Sequence, residues 1–314
     1  MKATILGAGA YGLALADTLT YNKISVKIWT NVKREYEMLA SDEGNDKIQL
    51  CTDMKDAMNG ANVVFVVVAS KYIMNTLNEI KKYYNKKQII CIATKGILQE
   101  RLFFLNKIFI RELNTKKIAI LSGGTFAKDM FLHEPMGLMI GTHDKNTGRI
   151  VRGYLKNDYL SVTVSHDVIG IEICGAFKNI MAISLGIIQG EKYNESTKCM
   201  FVTKIVNELS QIINLFNGDK NTILSYAGIG DLWLTGTSTN SRNYTLGVMI
   251  GEKYNQREIK QYIYNNTIEG LDSLEAVYKI LEGKKYNCRF ISCLYDIIYN
   301  GKPVELLKKY LIES

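Results

Sequence analysis

The sequence contains few of the residues on which several common kinds of chemistry depend. It has only three histidines, none at metal-ligand spacing from another, which argues against a structural zinc site and a histidine-centred catalytic triad. Its six cysteines are scattered through apolar segments and include no Cys-x-x-Cys pair, as is usual for reduced thiols. The sequence therefore predicts a cytoplasmic protein without a bound metal.

Arginine is also scarce, although the chain is basic. Lysine and arginine total 39 against 31 acidic residues, a formal net charge of +8, yet only eight of the 314 residues are arginine. Proteins that read nucleic-acid sequence rely on arginine for bidentate contacts with bases, so we expect no nucleic-acid partner. The lysine surplus is compatible with small anionic ligands, or with solubility alone.

Long apolar stretches are rare as well. The N-terminus, MKATILGAG, lacks the long apolar region and the small-residue cleavage site of a signal peptide, so none is expected. The apolar stretch Val168–Ile188 is interrupted by glycines, by Glu172 and by a central lysine, Lys178. Because a lysine at the centre of a membrane span costs roughly 2.5–3.5 kcal/mol, we expect a buried core helix and no membrane insertion.

The first half of the chain predicts a parallel sheet flanked by helices. Several segments are apolar on successive residues, which is typical of strands covered on both faces, and segments of helical periodicity separate them. The predicted strands are Lys2–Leu6, Ser25–Trp29, Val63–Ala69, Ile89–Ala93 and Ile118–Leu121, with two more at Met136–Ile140 and Leu160–Val164. A turn at 143–148 and a polar stretch are expected between the last two.

From Val168 onward the pattern is helical. Apolar residues recur at the spacing of helices, and a Gly- and Thr-rich segment, Tyr226–Asn243, predicts a loop between them. The length of the chain suggests two domains. We therefore expect an α/β fold: an N-terminal doubly wound sheet over residues 1–166, followed by an all-α domain over residues 167–314.

A glycine-rich turn follows the first predicted strand. It fits the pattern G-x-G-x-x-G and opens a predicted helix, whose first N–H groups would face the pyrophosphate of a dinucleotide. The turn residues are Gly7, Gly9, Ala10, Tyr11 and Gly12. We therefore expect a Rossmann-type dinucleotide-binding domain; the alternative is a glycine-rich turn without a ligand.

The residues after the second predicted strand leave the choice of nicotinamide open. An acidic residue at the end of this strand would bind the adenosine ribose of NAD, but Trp29–Arg34 contains none. Lys33 and Arg34 could meet the 2′-phosphate of NADP, or both could be solvated surface cations. The predicted cofactor is accordingly NAD or NADP.

Lys178 is a candidate for acid–base chemistry. It and Glu172 are the two charged residues of the apolar stretch, and burial disfavours the charged form of a lysine, which suits a general acid or base. The alternative is a lysine whose long side chain reaches solvent at the edge of the helix.

Seven short motifs occur in a fixed order along the chain. They are the turn Gly7–Gly12, Thr94-Lys95-Gly96, Ser122–Ala127, Glu172–Asn179, Gly228–Leu232, Thr237-Ser238 with Ser241–Asn243, and Glu269-Gly270. Together they resemble the soluble NAD(P)-dependent glycerol-3-phosphate dehydrogenases of bacterial type, from residue 1 to about residue 300. The block from Glu172 to Asn243 is the most specific part.

The resemblance implies a hydride transfer between NAD(P)H and C2 of dihydroxyacetone phosphate, reversible from sn-glycerol 3-phosphate. Lys178 would then be the proton donor, Asp231 would hold that lysine and a substrate hydroxyl, and Arg242 would clamp the phosphate. The implied substrate-binding residues are Lys95, Gly123, Thr125, Lys178, Asp231, Ser241, Arg242 and Asn243. The implied cofactor-binding residues are Gly7, Gly9, Ala10, Tyr11, Gly12, Asn31, Lys33, Lys95, Ala127, Arg242 and Glu269. The product would supply phospholipid synthesis, and a homodimer is one of the assemblies left open.

Other interpretations stay open on the sequence alone. The chain could be a two-domain reductase of another hydroxy acid, or a protein that senses NAD(P) without turnover. Singly, Lys95 could be a loop cation, Ser241 the cap of the next helix, and Asp231 the cap of the turn that follows it.

The chain also departs from the family pattern. Tyr11 replaces a tryptophan, Ala69 and Gly124 replace prolines, Lys204-Ile205 replaces an Arg-Gly pair, and the usual stretch is not recognisable in Gly44–Thr52.

Overall fold

A buried eight-stranded sheet forms the first of two units. The computed structural model describes residues 1–32, 35, 48–95 and 104–313. The first unit comprises Met1–Lys95 and Leu105–Val168, and the second comprises Phe104 and the residues from Ile169 onward. The division of function that we expect near residue 166 stays a prediction.

The sheet has the strand order of a doubly wound fold. The strands are β1 (Lys2–Leu6), β2 (Ser25–Trp29), β3 (Ile48–Cys51), β4 (Val63–Val66), β5 (Ile89–Ile92), β6 (Ile118–Ser122), β7 (Met136–Gly141) and β8 (Leu160–Ser165). Their order is β3-β2-β1-β4-β5-β6-β7-β8, and every neighbouring pair is parallel except β6 with β7. The strands β4, β5 and β6 are buried at every position, which explains why their sequences are continuously apolar.

Short helices connect these strands. They are α1 (Ala10–Tyr21), α2 (Met54–Met58), α3 (Ile73–Tyr83), α4 (Leu105–Leu113), α5 (Ala127–Met130) and α6 (Lys145–Leu155), and a 3₁₀ turn at Ser70–Tyr72 leads into α3. In α3 the residues Ile73, Leu77 and Ile80 recur at helical spacing and are fully buried, so one face of the helix packs onto the fold. The predicted α/β sheet is confirmed.

Three features of this unit correct the predictions. The sequence does not predict β3, because this edge strand is short and its Ile48 and Leu50 are only half-buried. The polar stretch after 143 is α6, whose N-cap Asp144 accepts a hydrogen bond from the Thr147 N–H at 2.9 Å. The pair β6–β7 is antiparallel because the connection between them contains only the four-residue α5, too little for a parallel crossover.

The second unit is helical, as predicted. Its helices are α7 (Val168–Gly190), α8 (Glu195–Leu215), α9 (Asp231–Gly236), α10 (Arg242–Gly251), α11 (Gln256–Asn265), α12 (Glu269–Gly283), α13 (Arg289–Tyr299) and α14 (Leu306–Ile312). The helix α7 is long and apolar enough to cross a membrane, but 94% of its most apolar window is buried inside the fold. It is therefore the core helix of this unit.

The predicted loop Tyr226–Asn243 is only partly a loop. A π-helical turn, Tyr226–Gly230, and the six-residue helix α9 occupy its first half. Helices this short are marginal by themselves and depend on packing, so glycine and threonine content alone predicts a loop. The correction matters because α9 begins at Asp231, one of the predicted catalytic residues.

Lys204, at a position where the chain departs from the family pattern, anchors the last helix. Its ammonium donates hydrogen bonds to the carbonyl oxygens of Tyr310 at 3.0 Å and Glu313 at 2.9 Å, at the carboxyl end of α14. A cation is favourable there because the helix leaves its last carbonyl oxygens without intrahelical partners. The departure at 204 therefore has a structural role in this chain.

Glycines bring α7 and α10 into backbone contact. A Cβ added at Gly186 or at Gly247 would overlap a carbonyl oxygen of the opposite helix. One turn further along, a Cβ at Gly190 would lie 2.5 Å from an α10 carbonyl oxygen, and Gly251 is similarly crowded. Both helices carry predicted site residues, so this contact sets the distance between those residues.

We expect Gly247→Ala to lower the free energy of unfolding by about 1–3 kcal/mol, because the new methyl group forces the two helices apart. Urea denaturation measures the change. Gly283→Ala is the matched control, since a Cβ there meets no atom within 4 Å in the part of the chain that the structure describes, and the same substitution in a helix stabilises by roughly 0.5–1 kcal/mol. Equal effects of the two substitutions would contradict the close contact.

Candidate active site

The glycine-rich turn after β1 has the geometry that a pyrophosphate requires. Gly7 has a φ of +120°, and a Cβ there would lie 2.9 Å from the Val67 carbonyl oxygen. Gly9 is the N-cap of α1, and a Cβ on it would meet none of the described residues within 4 Å, whereas a Cβ on Gly12 would overlap the turn itself. A ligand can therefore approach the backbone at Gly9, where the first N–H groups of α1 attract an anion.

A cavity of about 990 Å³ extends from this turn along the carboxyl ends of β1 to β4. The strand β1 lies between β2 and β4, so the cavity is at the point where the strand order reverses, the usual place for a dinucleotide. Asn31 lines it, as expected of a cofactor contact, while the predicted contact Lys33 lies outside the described residues. The residues present thus fit a dinucleotide.

A second group of predicted residues lies around Gly123, at the end of β6. The Lys95 ammonium is 3.5 Å from the Gly123 carbonyl oxygen. The hydroxyl groups of Tyr11 and Thr125 share a hydrogen bond of 3.2 Å, which joins the glycine-rich turn to this loop. Ala127 follows as the first residue of α5. The structure therefore brings Lys95, Gly123, Tyr11 and Thr125 together within the first unit.

In the second unit, Lys178 forms a buried ion pair with Asp231. The Nζ atom of Lys178 lies 3.1 Å from Oδ1 of Asp231, and the two side chains are 14% and 2% exposed. Lys178 stands in the middle of α7 and Asp231 begins α9. Removing one partner of a buried pair leaves an uncompensated charge, so each residue makes the burial of the other tolerable. The pair holds the amine of Lys178 at a defined position.

Thr235 completes this group, and the sequence did not identify it. Its Oγ1 lies 3.4 Å from Nζ of Lys178 and donates a hydrogen bond of 3.2 Å to the same Asp231 oxygen. Asp231 and Thr235 are four residues apart and share one face of α9. That spacing is visible in the sequence, but it carries meaning only if a helix is predicted there, and the sequence predicted a loop.

The three predicted phosphate-binding residues lie at the start of α10. Ser241 is the N-cap, and its hydroxyl accepts a hydrogen bond from the Tyr244 N–H at 3.3 Å. Arg242 is exposed. Asn243 is buried, and its Oδ1 accepts a hydrogen bond of 2.9 Å from the Gly270 N–H at the start of α12. The guanidinium and the positive end of the helix dipole both favour an anion here.

Glu269 is fixed by a residue of α7. The Asn179 side-chain amide donates a hydrogen bond of 3.2 Å to Oε2 of Glu269, the first residue of α12. Asn179 directly follows Lys178 in the chain. Together with the Asn243 bond to Gly270, this contact ties α7, α10 and α12 to one another around the predicted site residues.

Three of the six cysteines are poor candidates for an alternative nucleophile. All six are thiols that form no disulfide. Burial raises the pKa of the Cys91 and Cys288 thiols strongly, and raises that of Cys293 to about 12. Such thiols stay protonated and unreactive at neutral pH. In the described ranges, no three histidine, cysteine or acidic side chains converge as a metal site would require.

Two family models match the chain. The NAD-dependent glycerol-3-phosphate dehydrogenase N-terminus matches residues 2–148, and the C-terminus of the same family matches residues 167–309. The NAD(P)+ glycerol-3-phosphate dehydrogenase of Bacillus subtilis is 30% identical over 97% of this chain and 92% of its own length. The chain belongs to this family. The predicted resemblance is confirmed, and the protein is an NAD(P)-dependent oxidoreductase.

Further relatives agree over the whole length. The NAD(P)+ glycerol-3-phosphate dehydrogenase of Halothermothrix orenii is 29% identical over 100% of this chain and 95% of its own. The crystal structure of glycerol-3-phosphate dehydrogenase from Coxiella burnetii superposes with a TM-score of 0.91 at 25% identity, covering 99% of both chains. The predicted combination of a Rossmann-type domain and a helical domain is therefore that of a soluble enzyme fold. The roles of single residues stay predictions.

Proposed function

We propose that this enzyme reduces dihydroxyacetone phosphate to sn-glycerol 3-phosphate and that Lys178 donates the proton. The observation that carries the proposal is the buried pair in which Nζ of Lys178 lies 3.1 Å from Asp231. A positioned ammonium can both protonate a carbonyl oxygen and stabilise the alkoxide that develops on it. The names of the relatives from Bacillus subtilis and Halothermothrix orenii support the substrate.

The reaction adds a hydride to C2 and a proton to its oxygen. When bound, NAD(P)H supplies the hydride. Lys178 gives its ammonium proton to the carbonyl oxygen as that oxygen gains charge, so the ketone becomes a secondary alcohol and the lysine becomes neutral until it is reprotonated. Asp231 accepts a hydrogen bond from the ammonium, and Thr235 bonds to both groups and restricts their rotation. In the reverse direction the neutral lysine accepts the hydroxyl proton.

Phosphate binding is assigned to the start of α10. Arg242 is exposed there and offers a planar guanidinium that matches two phosphate oxygens. The side-chain carbonyl oxygen of Asn243 accepts a hydrogen bond from the Gly270 N–H. Its side-chain amide NH2 group is therefore the donor proposed for the phosphate. Ser241 caps the helix and holds both residues in place. In the first unit, Lys95, Gly123 and Thr125 are proposed as further substrate contacts.

Cofactor binding is assigned mainly to the first unit. The proposed residues are Gly7, Gly9, Ala10, Tyr11, Gly12, Asn31, Lys95 and Ala127, with Lys33 outside the described residues and with Arg242 and Glu269 from the second unit. This assignment divides the chain into a dinucleotide-binding domain, 1–166, and a domain for substrate and catalysis, 167–314. The cavity beside the glycine-rich turn supports the first half of that division.

We further propose that the enzyme works in the cytoplasm, supplies phospholipid synthesis, and has neither a nucleic-acid nor a membrane partner. Six cysteines without a disulfide and the scarcity of arginine support this picture. A homodimer is compatible with this proposal, and light scattering measures the oligomeric state.

The function is tested by NADH and NADPH oxidation in the presence of dihydroxyacetone phosphate. We expect turnover with the phosphorylated ketone and a much lower kcat/KM with unphosphorylated dihydroxyacetone. Binding of either nicotinamide without turnover would instead indicate a sensor. Turnover of an unphosphorylated 2-oxo acid, but not of the triose phosphate, would indicate a reductase of another hydroxy acid.

We expect Tyr11→Phe to raise KM for dihydroxyacetone phosphate about 3- to 10-fold and to leave kcat within about twofold, because one hydrogen bond contributes roughly 0.5–1.5 kcal/mol. The substitution removes the hydroxyl that bonds to Thr125 but keeps the ring. Steady-state kinetics measure KM. Tyr21→Phe is the control, because it removes the hydroxyl of an exposed ring that bonds to Asp158 and does not line the cavity. An unchanged KM would show that the bond does not position Thr125.

A further inference from the structure

Carboxylates line the cavity at the ends of β1 to β4. Glu35, Asp53 and Glu79 are among its lining residues, and no lysine or arginine is present among those that the structure describes. The three carboxylates differ in their partners. Glu79 lies 2.6 Å from the ammonium of Lys82, and Asp53 caps α2, whereas Glu35 accepts a hydrogen bond from a neutral hydroxyl.

Thr30 holds Glu35 near the carboxyl end of β2. Thr30 directly follows the last residue of this strand and is buried. Its hydroxyl donates a hydrogen bond of 2.7 Å to Oε2 of Glu35 and accepts one of 3.1 Å from the Val32 N–H. In dinucleotide-binding folds the adenosine ribose lies at this point, and an acidic side chain accepts a hydrogen bond from its 2′-hydroxyl. Residues 29–34 include no acidic residue. Glu35, the next residue in the chain, nevertheless lies at this position, because it bonds to Thr30 and lines the cavity.

We propose that Glu35 makes this enzyme prefer NADH to NADPH. Its second carboxylate oxygen accepts the hydrogen bond of the ribose 2′-hydroxyl of NADH. The 2′-phosphate of NADPH would instead bring further negative charge against the carboxylate. The inference rests on the proposed cofactor function but not on the identity of the ketone. Lys33 and Arg34 lie outside the described residues. As cations they favour the 2′-phosphate of NADPH and so oppose the effect of Glu35.

The experiment compares the dissociation constants of NADH and NADPH, measured by nicotinamide fluorescence, with kcat/KM for both. We expect the wild-type protein to bind NADH about tenfold or more tightly than NADPH, and we expect Glu35→Gln to reduce this ratio about tenfold by strengthening NADPH binding. Glu112→Gln is the matched control, because it removes a carboxylate of the same unit that does not line the cavity. The titration needs no ketone, so a failure of the proposed substrate leaves it valid.

A second pair of substitutions tests how Glu35 is held. Thr30→Val removes the hydroxyl and should reduce the preference for NADH, whereas Thr30→Ser keeps the hydroxyl and should retain it. Equal or tighter binding of NADPH by the wild-type protein would overturn the proposal. So would an unchanged NADH to NADPH ratio in Glu35→Gln.

Discussion

Lys178→Met is expected to lower kcat for dihydroxyacetone phosphate reduction by about 10²- to 10⁴-fold, the range that a positioned general acid contributes, with little change in the dissociation constant of NADH. Methionine keeps the length and volume of the side chain but has no proton to give. Stopped-flow absorbance measures hydride transfer, and fluorescence titration measures NADH binding.

This substitution also leaves Asp231 as a buried charge without Lys178, which destabilises a protein by about 3–5 kcal/mol. Lys178→Arg separates chemistry from stability. It retains the positive charge beside Asp231, but a guanidinium does not release its proton at any working pH. We therefore expect a low kcat with a melting temperature near that of the wild type. A kcat within tenfold of wild type in Lys178→Arg would show that the charge alone, and not proton donation, is what the reaction needs.

Arg242→Ala is expected to raise KM for dihydroxyacetone phosphate roughly 50-fold or more, because each hydrogen bond to a charged group contributes about 1.5–3 kcal/mol. At saturating NADH, the same substitution should leave kcat/KM for unphosphorylated dihydroxyacetone unchanged, since that ketone has nothing for the guanidinium to bind. Inhibition by inorganic phosphate should weaken in parallel.

The control for Arg242 is Arg257→Ala, which removes an exposed arginine from α11 in the same unit. It should alter none of these constants. Equal losses with the phosphorylated and the unphosphorylated ketone would show that Arg242 supports the fold of the second unit and does not recognise the phosphate.

Patterns that are local in the sequence were predicted most reliably. The glycine-rich turn and the apolar α7 lie in continuous stretches, so the strand, turn and helix at Gly7–Gly12 and the burial around Lys178 could be predicted from spacing alone. The partner of Lys178 could not, because no local rule states that α9 packs against α7. The resemblance to the family supplied Asp231 as the residue that holds Lys178, and the structure places the two side chains 3.1 Å apart.

Two residues show what the sequence could not reveal. Thr235 is four residues from Asp231, but its role depends on the six-residue helix α9. The glycine and threonine content of this segment predicts a loop instead. Glu35 lies beyond the segment in which an acidic residue is expected, and it becomes relevant only because Thr30 bonds to it at the end of β2. In both cases a hydrogen bond between side chains, and not a residue pattern, defines the function that we propose.

The central claim is that this chain transfers a hydride to C2 of dihydroxyacetone phosphate. Nicotinamide cofactor carrying deuterium at both positions of C4 of the dihydropyridine ring tests it most directly, with mass spectrometry of the product. Transfer predicts sn-glycerol 3-phosphate that carries one deuterium at C2, formed by the wild-type protein and strongly reduced in Lys178→Met. Cofactor binding without deuterated glycerol 3-phosphate would contradict the account.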